Sequence, residues 1–446
     1  MNGVEEIRDI LGKEDYTKLK SVIHKYHPVD IAEFFEELSP KESLNLFKIL
    51  DFEDAIQVLE EVDSDKKYFI LTNIEANYAS KLLAEMSSDD VADFLGDLKE
   101  EEKKQILSLM EESAKLDLKD LLAYDKNTAG GRMTTEYIAF SKDLKAKDVL
   151  NKLAELAPDA ETIYYLYVVD SEGRLAGVIS LRDLILAPEQ TPIEDFMKTD
   201  VKKVNVMSHQ EEVARLIKKY GLLALPVVDD NDVLLGIVTV DDAMMVVEEE
   251  TTEDILKFSG SDVDEKIDLK QISPWIRAKR RLPWILVAII GEIFSGRVIN
   301  GFSATLQTIV ALSFFIPVIM DMGGNVGTQS AAIVVRGLAT GEIDTASIIK
   351  NVLREAAVGI ILGIINGILV TAITYFWQGK VLLGLVVGIA MAFNLTLAAA
   401  LGTFIPLLWH KFGHDPAVAS GPFVTTLLDI IGLFVYFSTA TWILNL

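Results

Sequence analysis

The chain has 446 residues, half of them apolar, a formal net charge of −25 and no cysteine. The lack of thiols excludes disulfides and thiolate chemistry, and the acidic balance argues against nucleic acid as a partner, since binding it needs clustered Lys and Arg. The charge is uneven, because residues 1–270 carry −28 and the remainder carries +3. Such an acidic half is explained either by solubility alone or by binding of hard divalent cations to carboxylate oxygens.

A 24-residue repeat organises the first part of the chain. Its units begin at Asp30, Asp54 and Tyr78, and apolar residues recur in register after each start. Each unit predicts two short amphipathic helices that bury their faces only by stacking, which gives an α-superhelical domain over residues 1–128. The acids of the third unit lie close together on one helix: Asp89, Asp90, Asp93 and Asp97. Their repulsion calls for either solvent or a cation on that face.

A second repeat has a spacing of 59 residues. The segment from Tyr167 to Asp183 recurs from Pro226 to Asp242, and each copy predicts a strand, a turn, a second strand and a capped helix start. The pattern resembles a tandem pair of cystathionine-β-synthase (CBS) domains over residues 129–247. This resemblance implies an α/β regulatory module that binds adenosyl ligands or senses ions.

The CBS resemblance also indicates where a nucleotide such as ATP would bind. The candidate positions are Tyr165, Arg182 and Asp183, beside a serine or threonine that opens each predicted helix. Helix capping by Ser180 and Thr239 is the alternative explanation for the same pattern.

A connecting segment, residues 248–272, combines acidic and apolar residues and leads toward the basic Arg277. We expect a helix that begins at a Thr251 or Thr252 cap and joins the soluble half to a membrane half. The opening residues of the chain lack the apolar core of a signal peptide, so we expect the soluble half to stay in the cytoplasm.

Five hydrophobic stretches follow, each near the ~20 residues that cross a bilayer as a helix. They cover residues 282–303, 305–335, 353–377, 381–409 and 419–443. Residues 273–446 are therefore predicted to form an all-α domain of five transmembrane helices in the cell membrane. Basic residues cluster in the loops on one side, which places the N-terminus in the cytoplasm and the C-terminus outside.

Asp429 is the only acidic or basic residue of the last span. A charge inside a membrane is costly, so this carboxylate either faces a water-filled path or joins helices through hydrogen bonds. In the second span, the glycine-rich run 322–330 predicts either an opened backbone whose carbonyls face a cavity or close helix packing. Together with Asn325, these groups form an all-oxygen environment suited to Mg2+. A two-fold dimer would bring two such aspartates together.

This domain order, with GGNVGTQS in the second span and LLDIIGLFVY in the fifth, resembles the MgtE family of magnesium channels over nearly the whole chain. The resemblance implies a homodimeric Mg2+-selective channel in the lipid bilayer, with passive influx past a pore site at Asp429, Asn325 and Gly432. It also implies that cytoplasmic Mg2+ bridges the acidic domains and the connecting (plug) helix and holds the pore shut. The positions similar to the bridging acids of the family are Asp89, Asp93, Glu211, Asp242, Glu250, Glu253 and Asp254. Acids that the family can carry are replaced here by Gln57, Gly221 and Met245.

Two other classes of protein share some of these features. A proton-coupled secondary transporter of Mg2+, Mn2+ or Co2+ would use Asp429 to carry the proton, and oxygen ligands alone do not separate these ions. A metal-dependent membrane enzyme would need a positioned acid, base or nucleophile, and the spans have no histidine near an acid. We therefore expect a transport protein and not an enzyme.

Overall fold

The computed structural model describes residues 2–13, 15–261, 273–343, 347–419 and 421–445. The chain forms two compact units, Met1–Val247 and Glu248–Leu446. The first unit contains the repeat helices and two small α/β modules, and the second contains the long apolar helices.

The repeat domain is a stack of short helices. In its described residues they are α1 (Asn2–Gly12), α2 (Tyr16–Ile23), α3 (Pro28–Glu37), α4 (Pro40–Phe47), α5 (Phe52–Glu61), α6 (Ser64–Asn73), α7 (Ala76–Glu85), α8 (Ser88–Asp97), α9 (Glu100–Leu109) and α10 (Glu112–Leu121). From α3 onward the helices form pairs whose starts lie 24 residues apart. The aligned residues Phe35, Leu59 and Leu83 are all buried, because a helix this short is stabilised chiefly by packing its apolar face. The predicted repeat is confirmed, and α9 with α10 adds a fourth unit.

Each α/β module has a three-stranded sheet with one parallel and one antiparallel pair. The first contains β1 (Ala139–Ser141), α11 (Ala146–Leu156), β2 (Tyr165–Val169), β3 (Leu175–Ser180) and α12 (Leu181–Leu186); the second contains β4 (Val204–Asn205), α13 (Gln210–Tyr220), β5 (Ala224–Val228), β6 (Leu234–Thr239) and the start of α14 (Val240–Phe258). The strand–turn–strand–helix order predicted from the 59-residue repeat is therefore present in both copies.

The two modules hold each other through equivalent methionines. Met133 precedes the first module, and its Sδ would lie 2.9 Å from a Cβ placed on Gly236 of the second. Met197 precedes the second module, and its Sδ would lie 2.7 Å from a Cβ on Gly177 of the first. The repeated methionine and the repeated glycine thus form the same contact twice, once in each direction between the modules. Only a residue without Cβ allows this approach.

The connecting segment does not begin a new helix. Helix α14 runs from Val240 through Phe258 without a break, so the predicted cap at Thr251 or Thr252 is wrong. The sequence from 240 to 258 has no Gly or Pro that would end a helix, and the helix stops just before Gly260, which has φ +71°. Residues 262–272 of the predicted connector lie outside the described residues.

The second unit is built around helices long and apolar enough to cross a membrane, and the described residues contain five such spans, as predicted. They are α15 (Pro274–Gly301), a 3₁₀ turn (Val310–Phe315) continued by α17 (Ile316–Ala339), α18 (Ile348–Gln378), α19 (Val381–Lys411) and α20 (Gly421–Leu444); the short α16 (Ser303–Thr308) follows α15.

The expectation of an opened backbone in the second span is wrong. The whole run 322–330 lies inside the continuous helix α17. Its glycines allow close helix packing instead: a Cβ on Gly324 would lie 2.9 Å from Cγ2 of Thr425, and one on Gly327 would have no room beside Leu428 of α20. Small residues at such positions let two membrane helices approach each other closely.

Candidate cation sites

Asp429 lies in the middle of α20, and only 6% of its surface is exposed. Helix α20 packs against α15, α17 and α19, which holds the carboxylate inside the bundle. The charged groups that act on it are two more carboxylates, Glu292 of α15 and Asp321 of α17. Among the described residues, none gives Asp429 a hydrogen bond or an ion pair. A carboxylate that merely joins helices needs such a partner, and Asp429 has none among these residues.

Asn325 lies one turn beyond Asp321 on α17, and its Nδ2 donates a 3.2 Å hydrogen bond to the Asp321 carboxylate. Both side chains are exposed on the surface of the single chain. The structure therefore relates Asn325 to Asp429 through Asp321, whose charge acts on Asp429. An exposed carboxylate within a span requires water or a second protein surface beside it.

Gly432 is buried and lies next to an asparagine that the sequence analysis missed. A Cβ on Gly432 would lie 2.6 Å from Oδ1 of Asn394, and one on Gly323 would lie 2.8 Å from its Nδ2. Asn394 of α19 is 2% exposed and donates a 2.7 Å hydrogen bond to the carbonyl of Ile319. Its signal in the sequence was a lone carboxamide in an otherwise apolar span.

The end of α14 is anchored to the loop between α19 and α20. Lys257 donates a 2.7 Å hydrogen bond to Oδ2 of Asp415 and also pairs with Glu253, one turn earlier on α14. Phe258 packs against the apolar core of the membrane helices. A Cβ on Gly421 would lie 2.6 Å from the carbonyl oxygen of Phe258. The loop therefore approaches the helix end as closely as a glycine permits.

Two of the other predicted regulatory acids lie at the same helix end. Burial, followed by the charges of Asp415 and Glu250, raises the pKa of Asp254 to about 6, although Lys257 acts in the opposite direction. Negative charge thus exceeds positive charge around the end of α14.

A second group of acids forms in the first unit, where α8 meets the second α/β module. Asp89 Oδ1 is buried and has no hydrogen-bond partner among the described residues. Burial, followed by the charges of Asp242, Asp90 and Glu161, raises the pKa of Asp89 well above its usual value. Among the described residues, the largest influences on Asp89 include no basic residue. A buried carboxylate without a cation is the condition that a bound divalent ion would relieve.

The pKa values of two acids near Asp89 are raised as well. Burial raises the pKa of Asp242 to about 6, against a 2.5 Å hydrogen bond from Thr239 Oγ1. Burial, followed by Glu136 and Asp242, raises the pKa of Glu161 to about 7. The sequence analysis missed Glu161 because it lies 72 residues from Asp89 and belongs to neither repeat motif.

The other two predicted acids of this unit have different surroundings. Asp93 forms an ion pair of 3.3 Å with Nη1 of Arg132, a side chain that is only 10% exposed. Glu211 is exposed in the first turn of α13, where its backbone N–H donates to Nδ1 of His209. The structure thus brings Asp89 and Asp242 together and places Asp93 beside a protein cation.

The candidate nucleotide residues lie at one edge of the first α/β module. Tyr165 of β2 is paired in register with Ser180 at the end of β3. Arg182 and Asp183 lie in the first turn of α12, and the Asp183 backbone N–H donates a 3.1 Å hydrogen bond to Ser180 Oγ. Ser180 therefore caps the helix, and the three candidates lie next to one another in the fold at the end of β3 and the start of α12.

Comparison with known proteins agrees with this architecture. The family model for a divalent cation transporter, MgtE, matches residues 316–439, the MgtE intracellular N domain matches 26–127, and the CBS domain matches 129–189 and 193–249. The magnesium transporter MgtE of Bacillus subtilis (strain 168) is 42% identical over 321 residues, which cover 72% of this chain and 70% of the relative. The chain belongs to the MgtE family.

Further relatives extend the match. The magnesium transporter MgtE of Thermus thermophilus is 40% identical over 333 residues, covering 74% of this chain and 73% of the relative. The crystal structure of the cytosolic domain of the Mg2+ channel MgtE in complex with ATP has a TM-score of 0.52 and 36% identity, and covers 55% of this chain and 99% of that one. The family resemblance and the fold class predicted from the sequence are confirmed.

The raised pKa values make the stability of the first unit depend on pH. Asp242 and Glu161 titrate at about 6 and about 7 in the folded chain, so they hold protons that the unfolded chain has released, and stability falls as pH rises from about 4 to about 7. Without divalent cations, we expect the thermal midpoint of the first unit to be lower at about pH 8 than at about pH 5.5. Mg2+ should reduce the difference. Circular-dichroism melts of the protein measure it.

The matched controls separate this acid group from the total charge. The double variant Asp242→Asn, Glu161→Gln should lose most of the pH dependence, while Glu5→Gln, Glu6→Gln removes two exposed acids of α1 and should keep it. An equal loss in both variants would assign the effect to overall charge.

Proposed function

We propose that this MgtE-family protein is a Mg2+-selective channel for passive influx across the cell membrane, closed when cytoplasmic Mg2+ is plentiful. The observation that carries the proposal is the buried Asp429, which has carboxylates as its charged neighbours and no protein cation beside it in the described residues. The curated relatives are named magnesium transporters. Mg2+ retains several waters and binds through one or two carboxylates, and these are the ligands available here.

The proposed assembly is a homodimer. Asp321 and Asn325 are exposed on α17 in the single chain, and their one mutual hydrogen bond would not offset the cost of a carboxylate facing lipid. A second subunit across a two-fold axis would cover this face and enclose a water-filled path. The pore site then consists of Asp429 with Asn325 and Gly432, as expected from the family motif, and Asp321 lies beside them.

The proposed gate uses the acids of the cytoplasmic side. With the N-terminus in the cytoplasm and the C-terminus outside, Mg2+ would bridge Asp89, Asp93, Glu211 and Asp242 of the soluble domains with Glu250, Glu253 and Asp254 of α14. The anchored end of α14 supports this gate, because Lys257 already attaches the helix to the loop before the pore helix α20. Loss of Mg2+ would leave repelling carboxylates and favour release of the helix.

Replacing the carboxylate at Asp429 tests the pore. Asp429→Asn keeps the size of the side chain and removes its charge, so Mg2+ conduction should be abolished or strongly reduced while the protein stays folded. Single-channel recording and Mg2+ flux into liposomes measure this, and the matched control is Glu355→Gln, a second acid within a span. Undiminished flux in Asp429→Asn would remove the pore assignment.

The same recordings separate a channel from a proton-coupled transporter of Mg2+, Mn2+ or Co2+. Flux through a channel follows the Mg2+ gradient and ignores an imposed proton gradient. Flux that reverses with the proton gradient would favour the transporter.

Neutralising Glu250, Glu253 and Asp254 together tests the gate. The closed state would lose its differential affinity for Mg2+, and a ligand that binds both states equally cannot bias an equilibrium. We expect a channel that stays open at high internal Mg2+ with unchanged conductance per opening, measured in excised patches. Neutralising Glu5, Glu6 and Glu33, which are exposed on α1 and α3, is the control and should close normally. Normal closure with smaller currents in the α14 variant would instead assign these acids to permeation.

ATP at the CBS pair is proposed from the edge that joins Tyr165, Arg182 and Asp183 and from the ATP complex of the related cytosolic domain. An aromatic face and a carboxylate suit an adenine ring and ribose hydroxyls. We expect ATP to raise the thermal midpoint of the protein, and Tyr165→Ala with Asp183→Asn to abolish that rise, while Tyr164→Ala, which alters the exposed neighbour, retains it. An ATP effect unchanged by the first pair would place the nucleotide elsewhere.

A further inference from the structure

We propose that a basic cavity at one end of the α18–α19 pair binds the headgroup of an anionic phospholipid. The cavity has a volume of about 760 Å3 and opens where the first turns of α18 lie beside the last turn of α19. Lys350 and Arg354 of α18 and Lys411 of α19 all line it. Pockets of this size accommodate small-molecule headgroups, and none of these residues belongs to the pore or gate described above.

The placement of these three cations is unfavourable without an anion. Lys350 and Arg354 lie four residues apart on one face of α18, where like charges repel. Both lie in the first two turns of the helix, whose positive dipole end disfavours cations. In the described part of the chain, no carboxylate forms an ion pair with Lys350, Arg354 or Lys411. A phosphate group in the cavity would reduce the repulsion among these cations.

Apolar side chains beside the cations indicate a lipid as the source of that phosphate. Ile349 is 77% exposed and Leu353 is 65% exposed, and both line the same cavity. A free phosphate ion would leave this apolar surface in water, whereas acyl chains would cover it. The cations lie at the ends of two membrane-spanning helices, which is the depth of lipid headgroups, and basic pockets between helix ends recognise such headgroups. A bias of basic residues toward one side of the membrane explains their side but not their meeting in one cavity beside apolar groups.

Native mass spectrometry of the full chain with equimolar phosphatidylglycerol and phosphatidylcholine tests the site. The protein should retain phosphatidylglycerol over phosphatidylcholine by about fivefold or more, as expected for a few basic contacts near a membrane surface. The variant Lys350→Gln, Arg354→Gln, Lys411→Gln should lose this preference. The matched control Lys279→Gln, Arg281→Gln, Lys380→Gln removes three exposed cations elsewhere in the membrane unit and should keep it.

Two other outcomes would contradict the proposal. Equal retention by the two triple variants would show a general attraction of anionic lipid to the surface. Displacement of phosphatidylglycerol by millimolar inorganic phosphate would identify a soluble anion as the ligand. If the triple variant fails to insert, Lys411→Gln alone must lower the preference while Lys380→Gln does not. The readout is lipid retention, so failure of Mg2+ conduction would leave this test unaffected.

Discussion

Two buried carboxylates with acidic neighbours, Asp89 and Asp429, place the strongest constraint on this structure. Asp89 in the first unit and Asp429 in the second are both buried, and within the described part of the chain the main charges acting on them are all carboxylates. Burying such a group costs free energy unless it is paired or hydrogen-bonded. Each carboxylate lies on a helix with buried apolar residues close by: Phe94 and Leu95 follow Asp89 on α8, and Tyr436 and Phe437 follow Asp429 on α20. A fully buried side chain of this kind stabilises a fold by about 1.5–3 kcal/mol, which is enough to hold an acid in place for a ligand.

How much the sequence predicts depends on whether the determining contacts are local. The repeat helices and the five spans follow from periodicity and length, because burial of Phe35, Leu59 and Leu83 repeats at fixed spacing and each span needs about 20 apolar residues. Asp429 is visible in the sequence since one acid interrupts an apolar run. Asn394 is less visible, because its importance comes from contact with the backbone of α17 about 75 residues away.

The wrong predictions, and the missed Glu161, also depend on contacts that the local sequence does not contain. A glycine-rich run within a span is compatible with an opened backbone or with close helix packing, and only the neighbouring helix α20 decides between them. The predicted cap at Thr251 or Thr252 ignored that α14 had already begun at Val240, so these threonines extend a helix and do not start one. The grouping of Asp89 with Glu161 requires two domains to fold together, which no local pattern contains.

At the end of α14, the positive charge of Lys257 and a bound Mg2+ ion can act in the same direction. Lys257 brings one positive charge to Glu253 and Asp415. Asp254 nearby still has a raised pKa, because burial and the charges of Asp415 and Glu250 outweigh the lysine. The anchored helix end therefore retains excess negative charge after Lys257 is counted. A divalent cation that binds there reinforces the attachment of α14 to the loop before α20 without displacing the lysine, since both draw the same carboxylates together. Under the proposed gate, Mg2+ would strengthen a contact that the chain already makes, and its removal would leave that contact weakened by the remaining repulsion.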